Sequence, residues 1–422
     1  MGTMKNEMGS QADEIVSLIL EEFGQLPPKR RPAVRDNGLH EWVPLSGIVV
    51  KGPHLVKCVA LATGMKCLPS SKLLEANGVA IHDWHAEVLA LRAFNRFLLD
   101  ECHRLAQETT AQSDFLSRQA QVDGSGKSPF LWRKDLTLHM YCSEAPCGDA
   151  SMELTISAQA DPTPWASPRP TPSSSDNPAV SQLLGRGHFS SLGIVRRKPA
   201  RGDAPPTTSK SCSDKIALKQ CTSLLSSLTS LLISPENIYL TSLILPESQY
   251  SEVGCTRCFG IKNEQGRMSC LRGKQWDSCT GYKVVPFAVE TTSCDFNFSK
   301  RTVAARSEKT AASNLAVAWT ADGKVEEGLI GGVLQGRKAF TLKGASAVSR
   351  RSMWALTKDV AQKLGDEKLL EVLSAETYDQ VKEGRLLEGR RKVKDDVRGE
   401  ALKGWLRNTG DGTFSLSRGA QP

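Results

Sequence analysis

The sequence predicts a single α/β domain that is interrupted by polar loops. Two neighbouring segments, SGIVVKG (46–52) and LVKCVALATGMKCL (55–68), have the apolar and β-branched density of adjacent strands. The next long segment, HAEVLALRAFNRFLLDECHRL (85–105), carries its apolar residues at helical spacing. Strand-like and helical segments continue to alternate toward the C-terminus, and we find no internal repeat, so we expect one large α/β domain.

The boundaries of this domain follow from changes in composition. Residues 1–37 form an N-terminal extension with a short amphipathic helix, ADEIVSLILEEF, whose apolar side carries Ile15, Leu18, Ile19 and Phe23. Residues 38–422 form the main domain and end in an amphipathic segment, ETYDQVKEGRLLEGRRKVKDDVRGEALKGWL. Residues 107–128 are polar and 157–180 are rich in Pro and Ser, so we expect loop or disordered insertions there.

The bulk composition excludes several classes of protein. The chain has no run of about eighteen apolar residues, so we expect no transmembrane helix and no membrane partner. The first residues lack the basic and apolar regions of a secretory signal, and the twelve cysteines are expected to be thiols or metal ligands. We therefore expect a cytoplasmic or nuclear protein. The net charge of +8 fits a polyanionic partner, but on charge alone a solvated surface without partners is nearly as good an explanation.

Short motifs predict a catalytic zinc site. An H-x-E motif places His85 and Glu87 at the start of the predicted helix, and SEAPCGDASM places Cys147 between a loop and a helix. Zinc-dependent nucleobase deaminases carry H-x-E followed by P-C-x-x-C, but here Ala150 stands where the second cysteine is expected. A catalytic zinc takes three protein ligands and keeps one position for water. We expect the third ligand from KSCSDKIALKQ, where Cys212 again precedes a helical segment.

Glu87 is the expected catalytic carboxylate. Because it follows His85 by two residues on a helix, it can lie beside the metal-bound water without binding the metal. The alternative is an exposed carboxylate that the positive N-terminal end of the helix favours.

Three segments resemble the deaminase domain of the adenosine deaminases acting on RNA. They are DWHAEVLALRAF, SEAPCGDASMEL and SCSDKIALKQ, and the resemblance continues through AWTADG, ASAVSRRSMW and TYDQVKEGRLLEG over roughly residues 38–418. They look most like the eukaryotic, in particular fungal, branch that modifies tRNA. The resemblance implies a cytidine-deaminase-like fold, with a mixed sheet between helix layers, and zinc-dependent hydrolysis of adenosine to inosine. The implied substrate is the adenosine 3′ of the anticodon in an alanine tRNA.

Other functions remain open from the sequence. One is a catalytically inactive relative that keeps the fold to bind RNA, and another is a deaminase of other RNA. The intact set of His85, Glu87, Cys147 and Cys212 argues against the inactive relative. A cytidine deaminase is a third possibility, which Ala150 disfavours. We expect no protein partner to be needed for the catalytic site.

The resemblance also implies a buried inositol hexakisphosphate, which would need many Lys and Arg side chains to neutralise its phosphates. Arg92 and Lys215 match two phosphate-binding positions, and Lys309, Lys338 and Arg350 match further ones. The chain departs from the family pattern at His82, Leu91 and Leu218. For each cation the alternative is a solvated surface charge.

Two segments are expected to contact RNA. The segment ATGMKC resembles the loop beside the flipped nucleotide, which makes Lys66 a candidate phosphate or ribose contact. The loop RRKPARGD offers Arg196, Arg197, Lys198 and Arg201 shortly before Cys212, and we interpret it as a clamp on the RNA backbone. A solvated loop is the alternative.

Four further cysteines allow a second zinc site. Cys255 and Cys258 form a C-x-x-C pair, and Cys270 and Cys279 follow it. Eight residues separate Cys270 from Cys279, whereas two are usual in such a pair, so reduced thiols are the alternative.

Overall fold

A computed structural model describes residues 10–108, 110–119, 128–158, 192–198, 204–262 and 264–416, and the backbone of residues 183–184. Most of the predicted Pro/Ser-rich insertion at 157–180 lies outside these ranges, as does Arg201. All twelve cysteines lie inside them and are free thiols. Within these ranges the helices are too short or too polar to cross a bilayer.

The helices, in chain order, are α1 (Gln11–Gln25), α2 (Ala86–Gln107), α3 (Met152–Ser157), α4 (Cys212–Thr222), α5 (Thr229–Leu232), α6 (Glu252–Phe259), α7 (Lys300–Ala304), α8 (Arg350–Leu364), α9 (Glu367–Leu373), α10 (Tyr378–Glu383) and α11 (Glu388–Glu400). The strands are β1 (His40–Trp42), β2 (Leu45–Gly52), β3 (Leu55–Thr63), β4 (Leu116–Arg118), β5 (Phe130–Trp132), β6 (Thr137–Cys142), β7 (Leu183–Leu184), β8 (Arg196–Arg197), β9 (Ser242–Pro246), β10 (Ala288–Thr292), β11 (Thr310–Ala312), β12 (Ala316–Thr320), β13 (Glu326–Ile330) and β14 (Val333–Leu334).

An eight-stranded mixed sheet organises the fold. Its strand order is β10-β9-β6-β2-β3-β12-β13-β14. Strands β6, β9 and β10 run parallel to one another, and the other neighbours are antiparallel. The two predicted strand segments are β2 and β3, which form one antiparallel hairpin at the middle of the sheet. The prediction of a mixed α/β domain is therefore confirmed.

Side chains that alternate along the central strands enter different cores, as the pleat of a strand requires. Ile48 and Val50 belong to the large core that contains α2, whereas Leu45 and Val49 belong to a smaller core that contains α1. Helices therefore cover the sheet on both faces.

The predicted N-terminal helix is α1, and its buried residues are part of this smaller core. Ile15, Ile19 and Phe23 are fully or nearly fully buried, whereas the predicted apolar residue Leu18 is half-buried. The helix begins at Ser10, whose hydroxyl accepts a hydrogen bond from the backbone of Asp13, as an N-cap residue does.

Within the predicted loop at 107–128, residues 116–118 form a strand, and residues 120–127 lie outside the described ranges. β4 pairs with β5, and Phe115 and Leu116 are buried in the large core. The ring of Phe115 packs edge-on against Phe97 of α2, with 5.0 Å between the ring centroids. Two apolar residues among many polar ones gave a weak pattern, but they are enough to hold this segment on the domain.

Candidate active site and basic cavity

The three predicted metal ligands come from the starts of three helical segments. His85 is the N-cap residue of α2, Cys212 is the first residue of α4, and Cys147 precedes the 3-10 turn that leads into α3. One ring nitrogen of His85 and the two sulfur atoms all lie within 4.8 Å of one another. The backbone N–H of Cys212 also donates to the sulfur of Cys147 at 3.4 Å. Side chains 62 and more residues apart in sequence therefore meet closely enough that they could bind one metal ion together.

The two cysteine loops are in direct contact. The hydroxyl of Ser213 donates to the carbonyl of Pro146 at 2.8 Å, and its backbone N–H donates to the carbonyl of Cys147 at 3.1 Å. Gly148 has φ +106°, and a Cβ there would lie 2.4 Å from the side chain of Ser211. Only glycine allows this close approach, so the Cys-Gly-Asp order of the motif is a packing requirement.

Glu87 lies in the first turn of α2 and is 7% exposed. Burial raises the pKa of its carboxyl, and the charge of the Cys147 thiolate raises it further. A buried carboxyl beside the candidate metal ligands is placed to accept and return a proton. The alternative of an exposed carboxylate at the helix start does not hold for this side chain.

Asp83 connects the metal ligands to a second group of polar residues. Its carboxylate accepts hydrogen bonds from the ammonium of Lys198 at 2.9 and 3.1 Å, and it also contacts Lys215. Lys198 in turn donates to the sulfur of Cys212 at 3.1 Å. Burial alone would raise the pKa of Asp83, but the two lysines hold that pKa well below its usual value. Asp83, His85 and Cys67 form a second group of close ligand atoms that shares the imidazole with the first.

The predicted RNA clamp is wrong for two of its residues. Lys198 is 3% exposed and is held by Asp83 and Cys212, so it does not reach the surface. Arg196 is 1% exposed, because its strand is tied to α4 by a hydrogen bond from its backbone N–H to Asp214 at 3.0 Å. Arg197 is half-buried. A run of basic residues is typical of a surface loop, so the sequence pattern did not indicate that Arg196 and Lys198 are buried.

A cavity of about 550 Å³ lies next to this network. Its walls include Asp83 and Lys215, and three of the predicted phosphate ligands, Arg92, Lys215 and Arg350, line it. Among the residues that the structure describes, ten Lys and Arg side chains line the cavity against five Asp and Glu. The seven cations that the sequence reasoning missed are Lys210, Lys382, Arg390, Arg391, Lys394, Arg398 and Arg407.

The described cations that line the cavity outnumber its carboxylates, and burial together with their mutual repulsion lowers several of their pKa values. Burial, followed by the charges of Arg390 and Lys382, lowers the pKa of Lys394 well below its usual value. Burial and the neighbouring Lys215 lower the pKa of Lys210 to about 8. Burial and Arg350 similarly lower the pKa of Arg92 to about 10. An anion that enters the cavity would stabilise these partly desolvated cations.

Two predicted phosphate ligands lie elsewhere. Lys309 and Lys338 are exposed and are not among the residues that line the cavity. Lys309 precedes β11, whose partner strand is β1, and Lys338 follows β14 at the edge of the large sheet. His82, which departs from the family pattern, does line the cavity. Its ring bonds to Asp411 at 2.7 Å and to Asn408 at 3.0 Å, so it is part of the cavity wall.

The four cysteines of the possible second zinc site do not form a cluster with a third ligand in the described part of the chain. Cys255 and Cys258 are buried on α6, whereas Cys270 and Cys279 are exposed. The sulfur of Cys258 accepts a hydrogen bond from Arg267 at 3.1 Å. The reading as reduced thiols therefore fits the geometry better.

The remaining predicted RNA contact is on the surface. Lys66 is exposed, and its ammonium contacts the side chain of Asn314. The backbone of Lys66 is held near the metal ligands, because its carbonyl accepts from Trp84 at 3.0 Å.

Comparison with known proteins agrees with this site. A family profile described as "Adenosine-deaminase (editase) domain" matches residues 60–409. The chain belongs to this adenosine deaminase family. The deaminase is 35% identical to "tRNA-specific adenosine deaminase 1" of Schizosaccharomyces pombe. The alignment spans 414 residues and covers 96% of this chain and 97% of the relative.

Two further relatives show where the similarity is shared. The protein of the same name from Saccharomyces cerevisiae is 30% identical over 272 residues, which is 62% of this chain and 66% of the relative. "Double-stranded RNA-specific editase Adar" of Drosophila melanogaster is 27% identical over 261 residues, which is 57% of this chain and 35% of that protein. The matched family range contains the three predicted metal ligands, Glu87 and most of the cavity wall.

The sequence contains a pattern from which some of the additional cavity cations could have been predicted. Arg390, Lys394 and Arg398 recur every four residues, which places them on one face of α11. The amphipathic pattern of the C-terminal segment does not by itself show what the basic face of α11 contacts.

Proposed function

We propose that this deaminase converts adenosine to inosine in tRNA by zinc-assisted hydrolysis. The observation that carries the proposal is the meeting of His85, Cys147 and Cys212 beside the buried carboxyl of Glu87. The names of the relatives that match most of the chain support tRNA as the substrate. A cytidine-deaminase-like three-layer arrangement and a target adenosine 3′ of the anticodon in an alanine tRNA belong to the same proposal.

The donor set fits zinc, since two thiolates and one imidazole are ligands that this metal prefers. When bound, zinc supplies a water molecule whose pKa is lowered toward neutrality. Glu87 accepts a proton from the attacking water and delivers it to the ring nitrogen next to C6 of the adenine. It then helps to protonate the departing amino group. One water is consumed, and inosine and ammonia are formed.

The substrate must reach a buried carboxyl, so the adenosine has to leave its stack. Exposed cations lie next to the loops that carry the ligands. Lys66 is one residue from Cys67, and the exposed Lys300 donates its backbone N–H to Glu144, three residues before Cys147, at 3.3 Å. We expect these lysines to contact RNA phosphates.

Inositol hexakisphosphate is the proposed occupant of the basic cavity. The residues present fit it: ten cations and five carboxylates line the cavity, and burial lowers the pKa of several of these cations. Arg92, Lys215 and Arg350 would hold its phosphates together with the cations of α11. The occupant would neutralise these charges and stabilise the domain.

The decisive experiment is to incubate the purified protein with total tRNA and to sequence the RNA for A-to-G changes. We expect a change at one adenosine next to an anticodon, and none with Glu87→Gln. Changes at another tRNA position would overturn the positional assignment alone. No change in any tRNA, with zinc bound and the fold intact, would favour the inactive RNA-binding relative.

Phosphorus analysis of dialysed protein, together with native mass spectrometry, tests the cavity occupant. We expect a bound molecule with about six phosphates per chain, which is the phosphate content of inositol hexakisphosphate. Protein without phosphorus would exclude it.

A further inference from the structure

Each of the two cysteine ligands is followed, two residues later, by a fully buried aspartate. Asp149 follows Cys147 and Asp214 follows Cys212, and both aspartates are 0% exposed. A buried carboxylate needs a cation or several hydrogen bonds, so each of them must be held by something specific. Neither aspartate is used by the proposed chemistry.

Each aspartate is held by one arginine from the same stretch of chain. The Nε–H of Arg257, on α6, donates to Asp149 at 3.1 Å, and its Nη2 donates to the backbone carbonyl of Asp149 at 3.0 Å. Arg267 donates from Nη1 to Asp214 at 2.6 Å. We call Arg257 and Arg267 the arginine pair.

The arginine pair is itself rigidly connected. The backbone N–H of Arg267 donates to the carbonyl of Arg257 at 2.9 Å. Arg267 also donates to the carbonyl and to the sulfur of Cys258 on α6, each at 3.1 Å, and Arg257 is anchored by Glu153 of α3 at 2.5 Å. These hydrogen bonds connect the two arginines to each other and to α3 and α6.

The second oxygen of each aspartate holds one further segment. Asp149 accepts from the backbone N–H of Gly193 at 3.0 Å, and Asp214 accepts from that of Arg196 at 3.0 Å. Lys198, two residues after Arg196, contacts the sulfur of Cys212 through its ammonium group. The same two carboxylates thus connect both cysteine loops with the lysine that faces the metal ligands.

We infer that the arginine pair positions the two thiolates: by fixing Asp149 and Asp214, it sets the separation of Cys147 and Cys212 at which they can bind one metal. The inference rests on the proposed zinc site. Arg257 and Arg267 are positioning residues, since neither contacts the ligand atoms themselves. Partners behind metal ligands commonly affect metal affinity by about 10- to 100-fold.

The test replaces one ion pair without leaving a buried charge. In Arg267→Met/Asp214→Asn the two charges are removed together, which limits the loss of stability that a single substitution would cause. We expect the zinc dissociation constant, measured by chelator competition, to rise about 10- to 100-fold. The cobalt-substituted protein should show weaker and shifted thiolate and ligand-field bands, and kcat should fall more than KM changes.

Two controls separate positioning from stability. Arg96→Met/Asp100→Asn removes a part-buried ion pair of 3.0 Å in the middle of α2, and it should lower thermal stability without changing zinc affinity or the cobalt spectrum. Arg267→Lys keeps the positive charge but lacks the guanidinium group that bonds to Asp214 and Cys258 at the same time. We therefore expect its zinc affinity to lie between that of the wild type and that of the double variant.

The outcomes are distinct from those for the proposed function. If wild-type protein binds zinc and the Arg267/Asp214 variant matches it in affinity and cobalt spectrum, the positioning role is overturned while the zinc site stands. If wild-type protein binds no zinc, both are overturned. These readouts need no tRNA, so the failure of tRNA deamination alone would leave a measured loss of metal affinity as support.

Discussion

The metal site and the basic cavity are neighbours that share Asp83, yet they are built in opposite ways. The metal site takes one residue from each of three short motifs at helix starts, and its polar groups are paired. The cavity takes its cations from many segments, with the largest share from α11, and its positive charges outnumber the negative ones. A motif can specify a few ligands around one small ion, whereas a large polyanion needs a surface that only the folded chain assembles.

The largest expected effect separates chemistry from metal binding at the first site. Glu87→Gln removes the proton acceptor but leaves the ligands, so we expect inosine formation to fall by about 10²–10⁴-fold with zinc content unchanged. Cys212→Ala should lose both activity and metal. Activity assays with metal analysis check this, and near wild-type activity of Glu87→Gln would remove that residue from the mechanism.

The next effect concerns the cavity and its occupant. Lys394→Glu/Arg398→Glu reverses two charges of the α11 face, so bound phosphorus should be lost. The free energy of unfolding should fall by about 3 kcal/mol, the value for a ligand present at about a hundred times its dissociation constant. Chemical denaturation and phosphorus analysis measure the two quantities.

The matched control for the cavity is Lys309→Glu/Lys338→Glu. These exposed lysines lie outside the cavity lining, so we expect unchanged phosphorus and stability. Loss of phosphorus from this variant would show that the phosphate contacts implied by the resemblance are right and the cavity assignment is too narrow.

The proposed binding of inositol hexakisphosphate predicts a stabilisation that depends on pH. Burial, Lys215, Arg197 and Arg398 lower the pKa of Lys210 to about 8 in the folded protein. Without the anion, charged Lys210 therefore opposes folding below about pH 8, and this cost disappears as the pH rises toward the pKa of about 10.4 in the unfolded chain.

With the anion bound, the protonated form is favoured instead. The rise in melting temperature on adding inositol hexakisphosphate to phosphate-free protein should thus be larger at about pH 7 than at about pH 9.5. Thermal denaturation at several pH values tests the sign, and an increase with pH would contradict the role of the cavity lysines.

The smallest effect is expected at the rim of the metal site. Lys66→Ala removes one phosphate contact, so the dependence of RNA binding on the logarithm of salt concentration should lose about one unit of slope. Binding measured at several salt concentrations checks this. Lys309→Ala, another exposed lysine, serves as the comparison, and an unchanged slope for Lys66→Ala would exclude the contact.

The sequence could predict the helix starts at residues 85 and 212 and the central strands. Local hydrophobic periodicity and the residues of the motifs are enough to specify them. The sequence could not predict the burial of Lys198 and Arg196. Both lie in a run of basic residues, which is typical of a surface loop. The partner of Lys198 is Asp83, which is distant in sequence, and the partner of the Arg196 backbone is Asp214, which belongs to the motif around Cys212.

The sequence by itself determined the chemistry of the site: which residues could bind zinc, which carboxylate could move a proton, and that the chain would form a mixed α/β domain. Only the tertiary structure decided which cations face one another and which arginines hold the ligand loops. The physical reason is that a ligand's chemistry belongs to its own side chain, whereas burial, pKa and charge balance depend on neighbours that the chain brings together from far apart.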